Sequence, residues 1–222
     1  MRDAYDKLFV FIDRAEFFQN SIEDIIYIEQ SISENLWSTL KYDVLNNNPV
    51  YIRGYGRDAK KTKYFIEFYK VLFDNNYVLK DANNNAQPTK LLKEYTDYCK
   101  VSKDGKNGKI KILNYQISHL FGKTKNPLLF NAPWNMAYIP KYLDPFTGHE
   151  TQGKHSNEFK KLISSVLKDK LSYFIDDYNK IIDEFVSSRL EDALDQTRRN
   201  LRLTKKEFKR FEADCRLELQ KI

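Results

Sequence analysis

Cysteine is scarce: Cys99 and Cys215 are the only two in 222 residues, so neither a disulfide framework nor a four-cysteine zinc site can form within this chain. A reducing cytoplasm fits that usage. Histidine is nearly as rare, with only His119, His149 and His155. No apolar run approaches bilayer length. The N-terminal MRDAYDKLFVFIDRAEFF mixes acids among its apolar residues and has no small-residue cleavage site. Neither secretion nor membrane insertion is expected. Internal repeats, a low-complexity tail and an ATPase motif are all missing, and the Gly-Tyr-Gly of RGYGRD is too short for a nucleotide loop.

What is present describes a folded chain. Hydrophobic residues make up 41% and aromatics 14%, mostly Tyr and Phe, which argues against disorder despite 31% charged residues. The net charge of +6 favours a polyanionic partner, because neutralising phosphates releases condensed counterions.

Periodicity divides the chain into three stretches of one compact unit. Residues 1–48 read as helices, with Leu8, Phe9, Ile12, Ala15 and Phe18 followed by Ile25, Ile28, Ile32 and Leu36, and Asn46-Asn47-Asn48-Pro49 stops them. Residues 49–155 are mixed. A short strand is expected within Val50 to Tyr55, and Arg57 to Phe73 reads as a helix with Tyr64, Phe65, Phe68 and Leu72 on one side. Another helix is expected near Pro88. After the basic linker SKDGKNGK, the alternating KIKILNYQISHL has strand character. Asn126 to Pro140, broken by Pro127, Pro133 and Pro140, reads as an irregular loop and a second short strand. Residues 156–222 are helical: Glu158 to Val186 has the cleanest periodicity, of one long helix or a coupled pair, and a basic helical stretch follows. The fold class expected is α+β, mostly helical, with a small hairpin-helix core at about 109–155.

His119 ends the expected strand, and Asn126, Asn131, Asn135, Asp144 and His149 follow it. A histidine on a strand, trailed by amide and carboxylate oxygens, is what a one-metal phosphodiesterase needs. The imidazole takes a proton from water, while Mg²⁺ or Mn²⁺ held by oxygen stabilises charge on the phosphate and the departing oxygen. Ordinary structural roles compete with this. Asn126 before Pro127 suits a turn, Asn135 a helix cap and Asp144 before Pro145 a turn start, and His155 is expected to be solvent-exposed.

The series Ser118-His119-Leu120, Thr124, Asn126-Pro127-Leu128 and Trp134 resembles the core motif of the His-Cys box homing endonucleases, which belong to the ββα-metal (HNH, His-metal finger) superfamily. The resemblance covers roughly Tyr115 to His149. It implies a hairpin through Ile110 to His119 and about Leu128 to Ile139 with a short helix after it, and His119 as general base. It also implies Asn135 as the asparagine that fixes the loop, and Asn126 and Trp134 in structural roles. HNH spacing, about nine residues beyond Asn135, places a metal ligand at Asp144, with Asn135 and His149 competing. Two departures stand out. Ser118 occupies the place where many HNH proteins carry a metal-binding Asp, and the zinc-binding cysteines are missing, so no structural zinc is expected.

Phosphate contacts are expected from Arg53, Arg57, Lys60 and Lys61 around the two glycines, and from Lys103, Lys106, Lys109, Lys111, Lys123 and Lys125 beside the hairpin. Arg198, Arg199, Arg202, Lys205 and Lys206 form a weaker docking face. The function expected is a cytoplasmic, metal-dependent endonuclease for double-stranded DNA, sequence-specific and of restriction type, acting as a homodimer. The alternatives are a less selective or phage-defence nuclease, or a non-catalytic nucleic-acid-binding module.

Overall fold

The computed structural model describes residues 3–100, 108–147 and 152–222. In chain order it opens with α1 (Tyr5–Leu8), α2 (Arg14–Glu23), β1 (Ile26–Tyr27) and α3 (Gln30–Leu45). Asp13 starts α2 by accepting the Glu16 N–H at 2.8 Å. β2 (Val50–Ile52), α4 (Thr62–Phe73), β3 (Val78–Lys80), α5 (Ala86–Tyr95), β4 (Tyr98–Cys99) and β5 (Ile110–Lys111) follow. α4 is helical because Phe65, Phe68, Tyr69, Leu72 and Phe73 recur at helical spacing and are all buried. Asn75 then closes α3: its amide nitrogen donates to the carbonyls of Asp43, Val44 and Asn48 at 3.0 to 3.1 Å, partners for groups that a helix end leaves open.

The central hairpin is β6 (Tyr115–His119), α6 (Pro127–Phe130) and β7 (Met136–Pro140), and α7 (Asp144–Thr147) comes directly after. β6 and β7 run antiparallel, with Tyr115 opposite Pro140 and His119 opposite Met136. β1 pairs with the other side of β7, so β7 is the middle strand and all five of its residues are buried. β2 and β3 form a separate parallel pair, as do β4 and β5.

The C-terminal third is helical: α8 (Lys154–Lys170), α9 (Ser172–Ile181), a π-helical turn over Ile182–Val186, α10 (Ser187–Leu201) and α11 (Lys205–Glu218). Of the two readings for Glu158 to Val186, the coupled pair is the one observed: α8 stops just before Leu171 and α9 starts just after it. Arg202, left-handed at φ 51°, separates the last two helices, and Thr204 with Glu207 starts α11 as a capping box.

The protein is α+β and mostly helical. One core draws on all three stretches, from Phe18 and Trp37 through Phe65, Phe68 and Leu128 to Phe159, Phe174 and Phe211. Three local expectations are corrected. Ile110 to His119 is not one strand, because Asn114 takes a left-handed φ of 60° between β5 and β6. Leu128 to Phe130 is helical, because the Asn126 side chain accepts the Leu128 N–H and starts a turn with Pro127 at its first position. His155 is 6% exposed rather than solvated, because α1 folds over the start of α8. Its Nε2 lies 2.8 Å from Asp6 Oδ1, and its ring lies 4.8 Å from that of Phe9. Among the described residues no helix is long and apolar enough to cross a membrane.

Candidate functional site

His119 is the last residue of β6, and its Nε2 lies 2.9 Å from the Phe130 carbonyl at the end of α6. A carbonyl only accepts, so Nε2 carries the proton and Nδ1 keeps a free lone pair. The ring also stacks on that of Phe130, with centroids 5.3 Å apart and 15° between planes. Burial pulls the imidazole pKa down from 6.5 to about 4. The Phe130 carbonyl opposes this, the Arg53 charge adds to it and Asp81 opposes it. At neutral pH His119 is therefore an uncharged acceptor.

Two asparagines hold the connection between the strands. Asn135 is fully buried: its Oδ1 accepts the Phe121 N–H at 2.9 Å, and its Nδ2 donates to Leu129 O at 2.9 Å and Gly122 O at 3.3 Å. Asn126, equally buried, caps α6 at Leu128 N and donates to Tyr178 Oη at 3.1 Å and to Glu218 O at 3.0 Å. Trp134 lies in the core, edge-on to Trp37 and stacked on Phe174. All three thus serve to shape the loop around His119. A carboxamide with both ends engaged and no exposure is a poor ligand for an incoming cation.

Asp144 starts α7, and its carboxylate accepts from the Gln116 side-chain amide. Asp144 and His119 line one cleft of about 540 Å³, together with Ser118, Gln116 and Lys160, but no direct bond joins them. His119 also lines a second cleft of about 570 Å³ with Arg53, Asn85, Lys123, Lys125 and Glu218. The histidine stands where the two meet. His149 lies outside the described residues, as do Lys103 and Lys106. Among the described residues no group of three or more His, Cys, Asp or Glu side chains is placed to hold a metal ion.

The expected phosphate-binding cations separate into two kinds. Lys109 donates to the carbonyls of Lys93, Glu94 (3.0 Å) and Thr96 (2.6 Å), which makes it the cap of α5's C-terminus. Lys123 donates to Leu217 O at 2.9 Å, and burial lowers its pKa. Lys125 pairs with Glu218 at 2.8 Å. These three already have partners. Arg53, Arg57, Lys60 and Lys111 are exposed, Lys61 is half-buried, and Lys60 lies 4.0 Å from Asp58. Arg53 has no ion pair with a described residue. Its backbone N–H bonds Thr124 O at 2.9 Å, which brings the end of β2 alongside the His119 loop. The first glycine of RGYGRD has a structural reason: a Cβ on Gly54 would stand 2.8 Å from the Ala59 Cβ and 3.0 Å from Asn84 Oδ1, which accepts the Gly54 N–H.

Three features of the site lay outside the sequence reading. Phe130 contributes a carbonyl, which any residue has. Asp81, buried, accepts from Ala86 N and Gln87 N and so caps α5 beside the cleft. Glu218 comes from a helix more than ninety residues downstream of the loop it touches. An aspartate ahead of an asparagine tract is a cap signal that pointed to Asp81 in principle; nothing comparable marks Glu218.

Fold and site together define an α+β, mostly helical protein with a double cleft around the histidine that ends an edge strand. Residues 28–222 match the family described as uncharacterised protein PM1201, and the chain belongs to that family. A relative of the same description from Pasteurella multocida (strain Pm70) is 39% identical over 187 residues, covering 83% of this chain and 81% of its own length. No solved structure matches the chain.

Proposed function

We propose that the protein is a metal-dependent DNA endonuclease of the ββα-metal kind, with His119 as the base that activates water. One observation carries the reading. His119 ends the first strand of a strand–loop–strand–helix unit, its Nε2–H is held by the Phe130 carbonyl, and its proton-accepting nitrogen is left free between two clefts. A neutral, oriented imidazole is what general-base catalysis requires. Asn135 locks the loop instead of binding metal, which leaves Asp144 as the described ligand candidate, in the cleft that Ser118 also lines. One carboxylate completed by water and phosphate oxygens suits a hard cation. Bound Mg²⁺ or Mn²⁺ supplies charge stabilisation at the phosphate and the departing oxygen. Arg53, exposed beside the second cleft, is the side chain best placed to meet a phosphate. Sequence-specific cleavage of both strands of double-stranded DNA, as in a restriction enzyme, requires a homodimer with one site per chain.

The experiment is plasmid nicking by the purified protein with Mg²⁺, wild type beside His119→Ala. Cleavage by wild type and its loss in the variant, with DNA binding retained, supports the proposal; equal activity in both, or none in either, overturns it. A non-catalytic nucleic-acid module is the second reading. The exposed Arg53 beside the second cleft would serve such a module equally well, and DNA binding without Mg²⁺-dependent cleavage is its signature.

A further inference from the structure

The last turn of α11 grips the loop beside His119, and the chemistry proposed above has no use for it. Glu218 is 5% exposed. One of its carboxylate oxygens accepts the Lys125 backbone N–H at 2.9 Å, and the other accepts the Lys125 ammonium at 2.8 Å. Its own carbonyl accepts from Asn126 Nδ2 at 3.0 Å. A buried carboxylate is costly unless such partners surround it, so these contacts fix residues 125 and 126 firmly against α11. The path from there to His119 is short and continuous. The Asn126 side chain caps α6 at Leu128 N, α6 runs to Phe130, and the Phe130 carbonyl receives the imidazole N–H.

We propose that Glu218 is a positioning residue for His119, holding the start of α6 so that the Phe130 carbonyl sets the tautomer and direction of the imidazole. The consequence for catalysis rests on the reading of His119 as the base; the effect on the imidazole itself does not. Arg53 and Asp81 are the charged groups that shift this ring, Arg53 downwards and Asp81 upwards, while Lys123, Lys125, Glu218, Asp144 and Lys160 line the clefts it stands between.

The test follows the imidazole directly in the full chain, by long-range ¹H–¹⁵N NMR of the three histidines, with His119 assigned from its loss in His119→Gln. Wild type is expected to show His119 as the Nε2–H tautomer. Glu218→Ala raises its titration midpoint by on the order of one pH unit, as water reaches the ring, and mixes the tautomers. In plasmid cleavage the same variant lowers kcat on the order of tenfold with KM within about twofold, the pattern of a misplaced base. Glu218→Gln, which can still accept the Lys125 N–H, recovers most of both. Lys125→Met shows a smaller shift in the same direction and decides the matter if Glu218→Ala does not fold. Asp183→Asn, which breaks the exposed pair with Lys221, moves neither readout. The proposal is overturned if Glu218→Ala or Lys125→Met lowers unfolding stability while the His119 midpoint and tautomer stay at wild-type values. Wild-type protein that binds but never cleaves DNA removes the nuclease reading alone, since the NMR comparison still decides the role of Glu218.

Discussion

β7 and β6 are neighbours in one sheet and differ in almost every physical respect. β7 lies between two strands with all its residues buried, whereas β6 has a free edge and all five of its residues are only partly buried. A strand enclosed on both sides reads as a continuous apolar run, and MAYIP is one. A strand with one open edge can carry polar groups, and YQISH does. The candidate chemistry sits on β6 because a polar side chain there can reach a cleft without being sealed in the core. β7 supplies the rigid backing against which His119 is held.

If that division is right, substitutions on β6 change function and substitutions on or next to β7 change stability. The largest effect expected is on β6: His119→Ala lowers DNA cleavage by about two to four orders of magnitude, the usual reach of a general base, while DNA binding measured by mobility shift is retained. Next comes Asn135→Ala, just ahead of β7, which leaves a buried donor and acceptors without partners; a loss of about 3 kcal/mol is expected in urea unfolding. Comparable destabilisation without loss of base function in the remaining folded molecules is expected for Met136→Ala, about 2 to 4 kcal/mol for a fully buried methionine.

The pH dependence of stability tests the burial of His119. Its folded pKa of about 4 lies below the ordinary 6.5, so between those values the unfolded chain binds a proton that the folded one does not. Stability is thus full above pH 6.5 and declines as pH falls towards 4, by up to about 3 kcal/mol from this group, with no further loss from it below that. His119→Gln should flatten this part of the curve in urea titrations from pH 7 to pH 4, and an unchanged slope would place the imidazole in solvent. The smallest effects separate the cations. Arg53→Ala is expected to weaken DNA binding and to reduce its salt slope by about one, whereas Lys109→Ala costs about 1 kcal/mol of stability as a lost helix cap and leaves the salt slope alone.

The elements most legible in the sequence were those fixed by nearby residues. Phe65, Phe68 and Leu72 marked α4 by spacing, and the alternation of NYQISHL marked β6. His119 stood out at that strand's end, and the asparagines after it stood out by their number. What could not be read depended on a local cap that competed with strand composition, or on distant partners. Leu128 to Phe130 has the composition of a strand, and only the Asn126 cap turns it into helix. Lys109 looks like a phosphate ligand beside the hairpin, yet α5's open carbonyls lie within its reach. His155 looks exposed in a polar stretch, and α1, from the other end of the chain, buries it. The last two outcomes are set by contacts between separate elements, which local propensity does not encode, whereas the first is a local capping motif that outweighs composition.

The grip of α11 on the His119 loop also bears on the order in which the molecule takes shape. The bonds from Lys125 and Asn126 to Glu218 close over 93 and 92 residues of chain, and contacts of that span form after local ones because a large loop must first be closed. α4, with its apolar face in one short segment, can form early, whereas the surroundings of His119 are complete only once α11 has docked. An intermediate with most of its helices in place would therefore still lack the ordered histidine, and the competence of this cleft would be among the last properties the folding chain acquires.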